Sequence, residues 1–386
     1  MVLLESMKFL KLVFLIAFLV PSFAYAQELV VDNPVTAKAQ VLEIIKQTHD
    51  TLPGLDVQGD TQTLSVKILD GVEAGKIVTV ENDYINLKKG EVFYLTHTVD
   101  KLESFDAYSV AGPDRIPAIT FFLGLFIACI LFFGGKQGIR GFLSLLLSFV
   151  FIMYVLLPGL IHGYSPVLVS VGVASLIIIL GSYITHGFNK TTTAAVAGMI
   201  TATIFTGVLA FIAINVTKLT GFSTEESTYL NFNTRGHMDF AGLLLGGMII
   251  GLLGILYDAA IGQAVSVEEL HQVGPHLPRG VIYKRAIRIG REHIGALVNT
   301  LAIAYVGISL PLLLLYTYST DGFLMTINQE IFATEIIRVL VGGIGIILAV
   351  PITTYIATLI LIKKEKGAPE VVAHEEAAIE KIGHTH

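Results

Sequence analysis

The chain has 386 residues, of which 53% are hydrophobic and only 15% charged, a balance too apolar for an ordinary soluble protein. The formal net charge of −6, with basic residues spread among short loops, gives no basis for nucleic-acid binding. A single cysteine, Cys129, excludes an internal disulfide, and its place in an apolar run suggests no cysteine-based metal or nucleophilic site. These features indicate an α-helical polytopic membrane protein, with the lipid bilayer as its first partner.

The N-terminus reads as a secretory signal peptide over residues 1–26. Lys8 and Lys11 flank the start of an apolar stretch to Val20, Pro21 breaks it, and Ala24-Tyr25-Ala26 offers a small-residue cleavage pattern. An uncleaved anchor helix is the other reading, but the apolar core is shorter than the ~20 residues a span needs. Either way the segment that follows is expected outside the cytoplasm. Residues 27–115 have the composition of a soluble domain, and KAQVLEII, TQTLSVKILDG, GKIVTVEN and EVFYLTHTV alternate between turn residues. Period-two alternation predicts short antiparallel strands. Their number fits a small OB-like β-barrel or a split sandwich, without the lysine and aromatic interleaving of a nucleic-acid face.

About seven apolar spans are predicted within residues 116–362, near 116–134, 141–161, 166–185, 192–216, 240–266, 293–316 and 336–362. With the β domain outside, eleven basic residues near the spans fall on the inner side: Lys136, Arg140, Lys190, Arg279, Lys284, Arg285, Arg288, Arg291, Lys363, Lys364 and Lys366. Four fall outside: Arg115, Lys218, Arg235 and Arg338. That bias supports an odd number of spans and a cytoplasmic tail, residues 363–386. The fourth span is rich in threonine and small residues, which suits close packing or a polar lining. Pro311 and Pro351 fall inside the last two spans, where they can kink a helix.

The fifth span, FAGLLLGGMIIGLLGILYDAAIGQAVSVEEL, carries a lone acid, Asp258. Gly247, Gly251, Gly254, Asp258 and Gly262 follow steps of four, three, four and four, so they share one narrow helix face. Small residues allow close helix approach, and a carboxylate in hydrocarbon is expected to turn toward protein or water. In the next span Gly295, Asn299, Ala302, Val306 and Ser309 form a similar face, so the two helices are expected to pack through these residues. Asp258 and Asn299 are expected at comparable depth, on the order of 10–14 Å from the inner surface at 1.5 Å per residue. Between these spans, VIYKRAIRIGREHIG places Ile282, Ala286 and Ile289 on one side of a helix and Lys284, Arg288 and Arg291 on another. This predicts a basic amphipathic helix at anionic headgroups, or one whose Arg288 or Arg291 pairs with Glu268, Glu269 or Asp258.

The outer loop from Thr217 to Asp239 carries Glu225, Glu226, His237 and Asp239, and the tail carries His374, His384 and His386. Neither has metal-ligand spacing, and no metal or cofactor is expected.

The segments MDFAGLLLGGMIIGLLGILYDAAIGQAVSVEEL and RAIRIGREHIGALVNTLAIAYVGISLPLLLLY resemble the YibE/F-like family of bacterial multi-pass membrane proteins. The likeness includes Gln263 and Ser266 after the aspartate, Glu269-Leu270, Arg288-Ile289-Gly290-Arg291 and Asn299-Thr300-Leu301, and extends over residues 27–362 with its weakest part in the β domain. The resemblance implies a bacterial cell-membrane location and, as partner, a paired relative; a second copy of the chain is the other partner expected. It also implies two adjacent acids where this chain has Tyr257-Asp258, which argues against a paired-acid metal site here. A shorter stretch from the glycine-rich span to Asn-Thr-Leu is similar to part of the proton-driven RND and SecDF exporters.

Two functions compete. In one, the protein is a transport-related permease component with Asp258 as a proton or cation site, supported by Asn299, Thr300, Gln263 and Ser266. In the other it is a non-transporting scaffold whose β domain binds a partner. An enzyme is not expected, since the chain has no HExxH, no GxSxG and no second intramembrane acid beside Asp258.

Overall fold

The computed structural model describes residues 35–51, 58–100, 105–234, 236–318, 320 and 322–362. The signal segment and the tail expected from the sequence lie outside the described residues. The chain divides into two compact units, Met1–Phe132 and Phe133–His386.

The first unit is a five-stranded closed barrel of β1 (Val35–Thr51), β2 (Gln58–Ile68), β3 (Ile77–Asn82), β4 (Val92–Asp100) and β5 (Phe105–Pro113), in the order 1-2-3-5-4. All pairs are antiparallel except β3 with β5, which closes the barrel in parallel at Glu81 and Ser109. The alternation in the sequence has its physical cause here, because every second residue of a strand points inward. Ala39, Val41, Leu64, Val66, Ile68, Val80, Phe93 and Leu95 fill the interior. Gln62 and Asn82 are buried among them and satisfied. Gln62 donates to Leu87 O at 3.0 Å, and its Oε1 accepts from Leu87 N at 2.9 Å and from Asn82 Nδ2 at 3.0 Å.

The β2–β3 loop is fastened to the β4–β5 wall by a charged cluster. Glu73 accepts from Lys76 Nζ at 2.7 Å and from the Tyr108 hydroxyl at 2.9 Å, lies 3.2 Å from His97 Nδ1, and Tyr108 stacks on His97 at 4.3 Å. The Lys76 ammonium, aided by the Tyr108 hydroxyl, holds the Glu73 carboxyl below its ordinary range. A depressed folded-state value means the carboxylate's contribution is present above the unfolded pKa and is lost as pH falls through the folded one. Amide hydrogen exchange of residues 69–76, corrected for intrinsic rates, should therefore show the loop loosening below about pH 4. Glu73→Gln should loosen it near neutral pH and remove most of that acid dependence; a loop equally protected in both proteins at both pH values contradicts this.

The helices are α1 (Ile116–Phe151), α2 (Leu157–Ile161), α3 (Pro166–His186), α4 (Lys190–Thr217), α5 (Glu225–Asn233), α6 (Phe240–Val273), α7 (Arg279–Ile308), α8 (Leu310–Tyr318), α9 (Phe323–Asn328) and α10 (Glu330–Leu361). A π-helical turn, Ile152–Leu156, joins α1 to α2. Among the described residues five helical runs are long and apolar enough to cross a membrane: Ile116–Ile161, α3, α4, α6 and α10. A sixth arises when α7 and α8, bent by 63°, count as one broken span. The regions expected as separate spans at 116–134 and 141–161 form one 46-residue run, which at 1.5 Å per residue is about 69 Å long and far exceeds a ~30 Å hydrocarbon core. Its helical geometry fails at Gly135 (φ 50, ψ −140).

Helix α6 is the hub of the second unit, in contact with α3, α4, α7 and α10. Its bulky residues Leu245, Met248, Ile249, Leu252 and Leu256 are fully buried. Glycines of the neighbours accommodate them: a Cβ on Gly342 would lie 2.6 Å from Leu252 Cδ2, and one on Gly207 would lie 3.4 Å from Ile249 Cδ1. The threonine-rich α4 packs along α10. Thr206 fills the space over Gly345, and Thr353 fills the space over Gly198, so close packing occupies these small positions. The bend between α7 and α8 falls beside Pro311, whereas Pro351 lies inside an unbroken α10.

The segment expected as a separate interfacial helix is the first half of α7 and runs on without a break into the span. Ile282 and Ala286 are fully buried, and Gly290 continues their stripe at the next step of four. Ile289, expected on the same side, is exposed. Arg279 at the start of α7 donates through Nε to Ile362 O at 2.9 Å, tying the helix to the end of α10. At the opposite end of α10, Glu330 accepts from Thr220 N and Gly221 N, each at 2.8 Å.

Candidate functional site

The glycine face of α6 is open, not packed. Gly247, Gly251, Gly254, Asp258 and Gly262 are all exposed, and a Cβ placed on Gly247, Gly254 or Gly262 would meet nothing within 4 Å. Of the five glycines expected to pack, only Gly251 has a neighbour there, the Tyr305 hydroxyl, 2.7 Å from its Cβ position; Gly295 on α7 is likewise open. The expected seam between the two small faces is thus corrected: α6 buries its large side chains and leaves its small ones outward. The physical reason is that lipid and protein interior are equally apolar, so hydrophobic periodicity does not select which face of a membrane helix is buried.

Around α6 the helices occupy three sides. Residues Leu243, Gly246, Ile250 and Tyr257 meet α3, Ile249 meets α4, Leu252 and Gln263 meet α10, and Gly251, Leu252, Ile255 and Gln263 meet α7. On a wheel of about 100° per residue, Asp258 lies in the remaining gap, between α3 and α7. Among the described residues its carboxylate has neither a hydrogen bond nor an ion pair. The expected pairings of Arg288 or Arg291 with Glu268, Glu269 or Asp258 do not form; Arg288, Arg291, Glu269 and Asp258 are exposed and Glu268 is half-buried.

A family model for the YibE/F-like protein matches residues 122–363. The chain belongs to the YibE/F-like family. The match covers the helices from within α1 to the end of α10, and the barrel lies before it. No curated protein and no solved structure matches the chain.

The family segment does not gather its supporting residues around the acid. Gln263, five residues on and about 140° around the helix, is buried on the far side, where its Oε1 accepts from Thr354 Oγ1 at 2.8 Å beneath Gly290. Ser266 Oγ is bonded to Gly262 O at 2.8 Å and Thr300 Oγ1 to Ala296 O at 2.9 Å, so both hydroxyls serve their own helix backbones. Asn299 is exposed on α7. Sequence reasoning counted Arg338 only as a charge flanking the last span and missed the group it forms beside the open face. Glu335 and Arg338 of α10 pair at 3.3 Å, and Arg338 lies over the Tyr305 ring at 5.6 Å, whose hydroxyl reaches Gly251. Gly251 and Asp258 are seven residues, or about 10 Å, apart along α6. The i, i+3 spacing of Glu335 and Arg338 inside an otherwise apolar span was the available signal.

Proposed function

We propose that the protein is a transport-related permease component of the cell membrane in which Asp258 is the proton or cation site. One observation carries this reading: a carboxylate at mid-length of the hub helix, flanked by glycines that leave the space around it open, with no hydrogen-bonding or charged partner among the described residues. An ionisable residue inside a membrane span is costly to keep, so its placement on an open face favours a role in exchange over one in packing. The scaffold reading places the same face under a partner helix, either from a second copy or from a related chain.

In this reading the run Ile116–Ile161 crosses twice, divided at Gly135, and α7 with α8 forms one broken span, which gives seven crossings. The barrel, OB-like in its 1-2-3-5-4 order, then stands outside the cytoplasm behind a cleaved signal peptide, and the tail lies within. Inner-side arginines and lysines support this orientation.

The test is a hydrophobic carbodiimide, which modifies protonated carboxyls in apolar surroundings, applied to membranes holding the full chain and read by peptide mass. Asp258 should be modified, and modification should fall as pH rises or as a competing monovalent cation is added. An unmodified Asp258 at every pH tested sinks the ion-site reading and leaves the scaffold.

A further inference from the structure

Helices α4 and α10 carry the same spaced triplet, Gly-xxx-Ala-xxx-Thr: Gly198, Ala202 and Thr206 in one, Gly345, Ala349 and Thr353 in the other. They run antiparallel and meet through it reciprocally. A Cβ on Gly198 would lie 2.8 Å from Thr353 Cβ, and a Cβ on Gly345 would lie 2.9 Å from Thr206 Cγ2. Ala202 and Ala349, the midpoints of the two triplets, are both fully buried in one apolar cluster with Leu256 of α6. A rotation that exchanges two antiparallel spans must reverse their direction, so its axis lies in the membrane plane.

The surroundings obey the same operation. Counting from Leu256, at the middle of α6, Ile249 stands seven residues before and meets Gly207 of α4, while Gln263 stands seven after and bonds Thr354 of α10. Gly207 and Thr354 occupy equivalent places, each one residue past its triplet. On either side of this core, α3 packs on α4 and on α6, and α7 packs on α10 and on α6. Helix α3 runs parallel to α6, with Ser170 against Gly246. Helix α7 runs antiparallel, with Gly290 against Gln263 and Tyr305 against Gly251. The exchange of α3 with α7 therefore also reverses direction, as the axis demands. That axis leaves α6 through its open side, at the level of Gly254 and Asp258.

We infer that α3–α4 and α7–α10 are two inverted halves of an alternating-access carrier, which rock about the Ala202–Ala349 contact and open the Asp258 face to one side of the membrane and then to the other. Inverted repeats around a midplane site are the architecture in which such rocking exchanges two equivalent states, because each half can adopt the other's conformation. The inference rests on the reading of Asp258 as an ion site and specifies how that site is reached: as a carrier with two exclusive openings, in contrast to a channel open at both ends.

The experiment uses full-length protein in permeabilised membrane vesicles with Cys129→Ser as background. Gly247→Cys and Val265→Cys are introduced singly. They lie nine residues before and nine after Leu256, both on the exposed face, and the Gly247 position has open space for a side chain. The rate of modification by a water-soluble maleimide is compared with Asp258 intact and with Asp258→Asn. For a carrier, neutralising the site shifts the balance of the two openings, so the rates should change several-fold in opposite senses. Rates that change in the same sense, or that stay fixed at either position, overturn the inference; Gly262→Cys serves as a second inner position should Val265→Cys fail to assemble. Carbodiimide modification of Asp258 in the same vesicles separates the two claims. If Asp258 is modified while the maleimide rates move together, the ion site stands and the inverted carrier does not; if Asp258 is unmodified, both fall.

Discussion

Gly198→Leu should prevent the second unit from assembling, and Gly198→Ala alone should destabilise it by about 1–3 kcal/mol, the range for overpacking a close-packed site. The cause is direct. A methyl at Gly198 would stand 2.8 Å from both Thr353 Cβ and Cγ2, and these atoms belong to a β-branched side chain on an antiparallel helix with little rotamer freedom. The helices must separate by most of an ångström, which also parts Ala202 from Ala349 one turn away. Thr353→Gly in the same chain removes the obstructing side chain, so the double variant should recover much of the loss, with a coupling energy of opposite sign to the single effects. Gly345→Ala with Thr206→Gly should behave in the same way at the other end of the contact. The measurement is thermal unfolding in detergent, followed by size-exclusion chromatography. If Gly198→Ala unfolds at the wild-type temperature, α4 and α10 do not pack through this triplet.

The contrast between the two units shows what the sequence makes legible. In the barrel, Leu64, Val66 and Ile68 alternate with polar residues because one strand face meets water and the other does not, so register and core follow from pattern alone. Only β5 gave little alternating signal of its own, since it ends in Ala111-Gly112-Pro113 beside the bulge at Tyr94 and Leu95. In the helical unit the same logic located the spans but not their faces. Gly247, Gly254 and Gly262 on α6 look in sequence like Gly198, Gly342 and Gly345, yet the first three face outward into open space and the last three are packed against side chains of neighbouring helices. What distinguishes them is the partner: a threonine or leucine at matching height on another helix, information that lies far away in the chain. The site followed the same division. Asp258 stood out as a charge in an apolar run, whereas the placement of Arg338 over Tyr305 and the Gln263–Thr354 bond depend on contacts between α10 and helices distant from it in sequence.

Asp258→Leu should raise the stability of the protomer in a bilayer, by an amount on the order of the 2.5–3.5 kcal/mol that an acid costs at mid-span, while abolishing carbodiimide modification and any proton or cation response. The expectation follows from the exposed carboxylate with no partner among the described residues: replacing it removes a penalty and breaks no bond. Asp258→Asn should fall between the wild type and the leucine variant, because it removes the charge but keeps a polar group in the bilayer. The chain contains no tryptophan, so Tyr257→Trp supplies a single fluorophore beside the acid. Its emission should titrate with pH or a bound cation when Asp258 is present and remain flat in the Asp258→Asn background. A scaffold in which Asp258 is held by a donor from a second subunit gives the opposite ordering. There, leucine weakens the assembly, because the donor on the partner loses its acceptor in hydrocarbon, and the subunit equilibrium shifts toward the free protomer. Stability and oligomeric state measured together on the leucine variant therefore decide between an acid kept at a cost for exchange and an acid that binds two chains together.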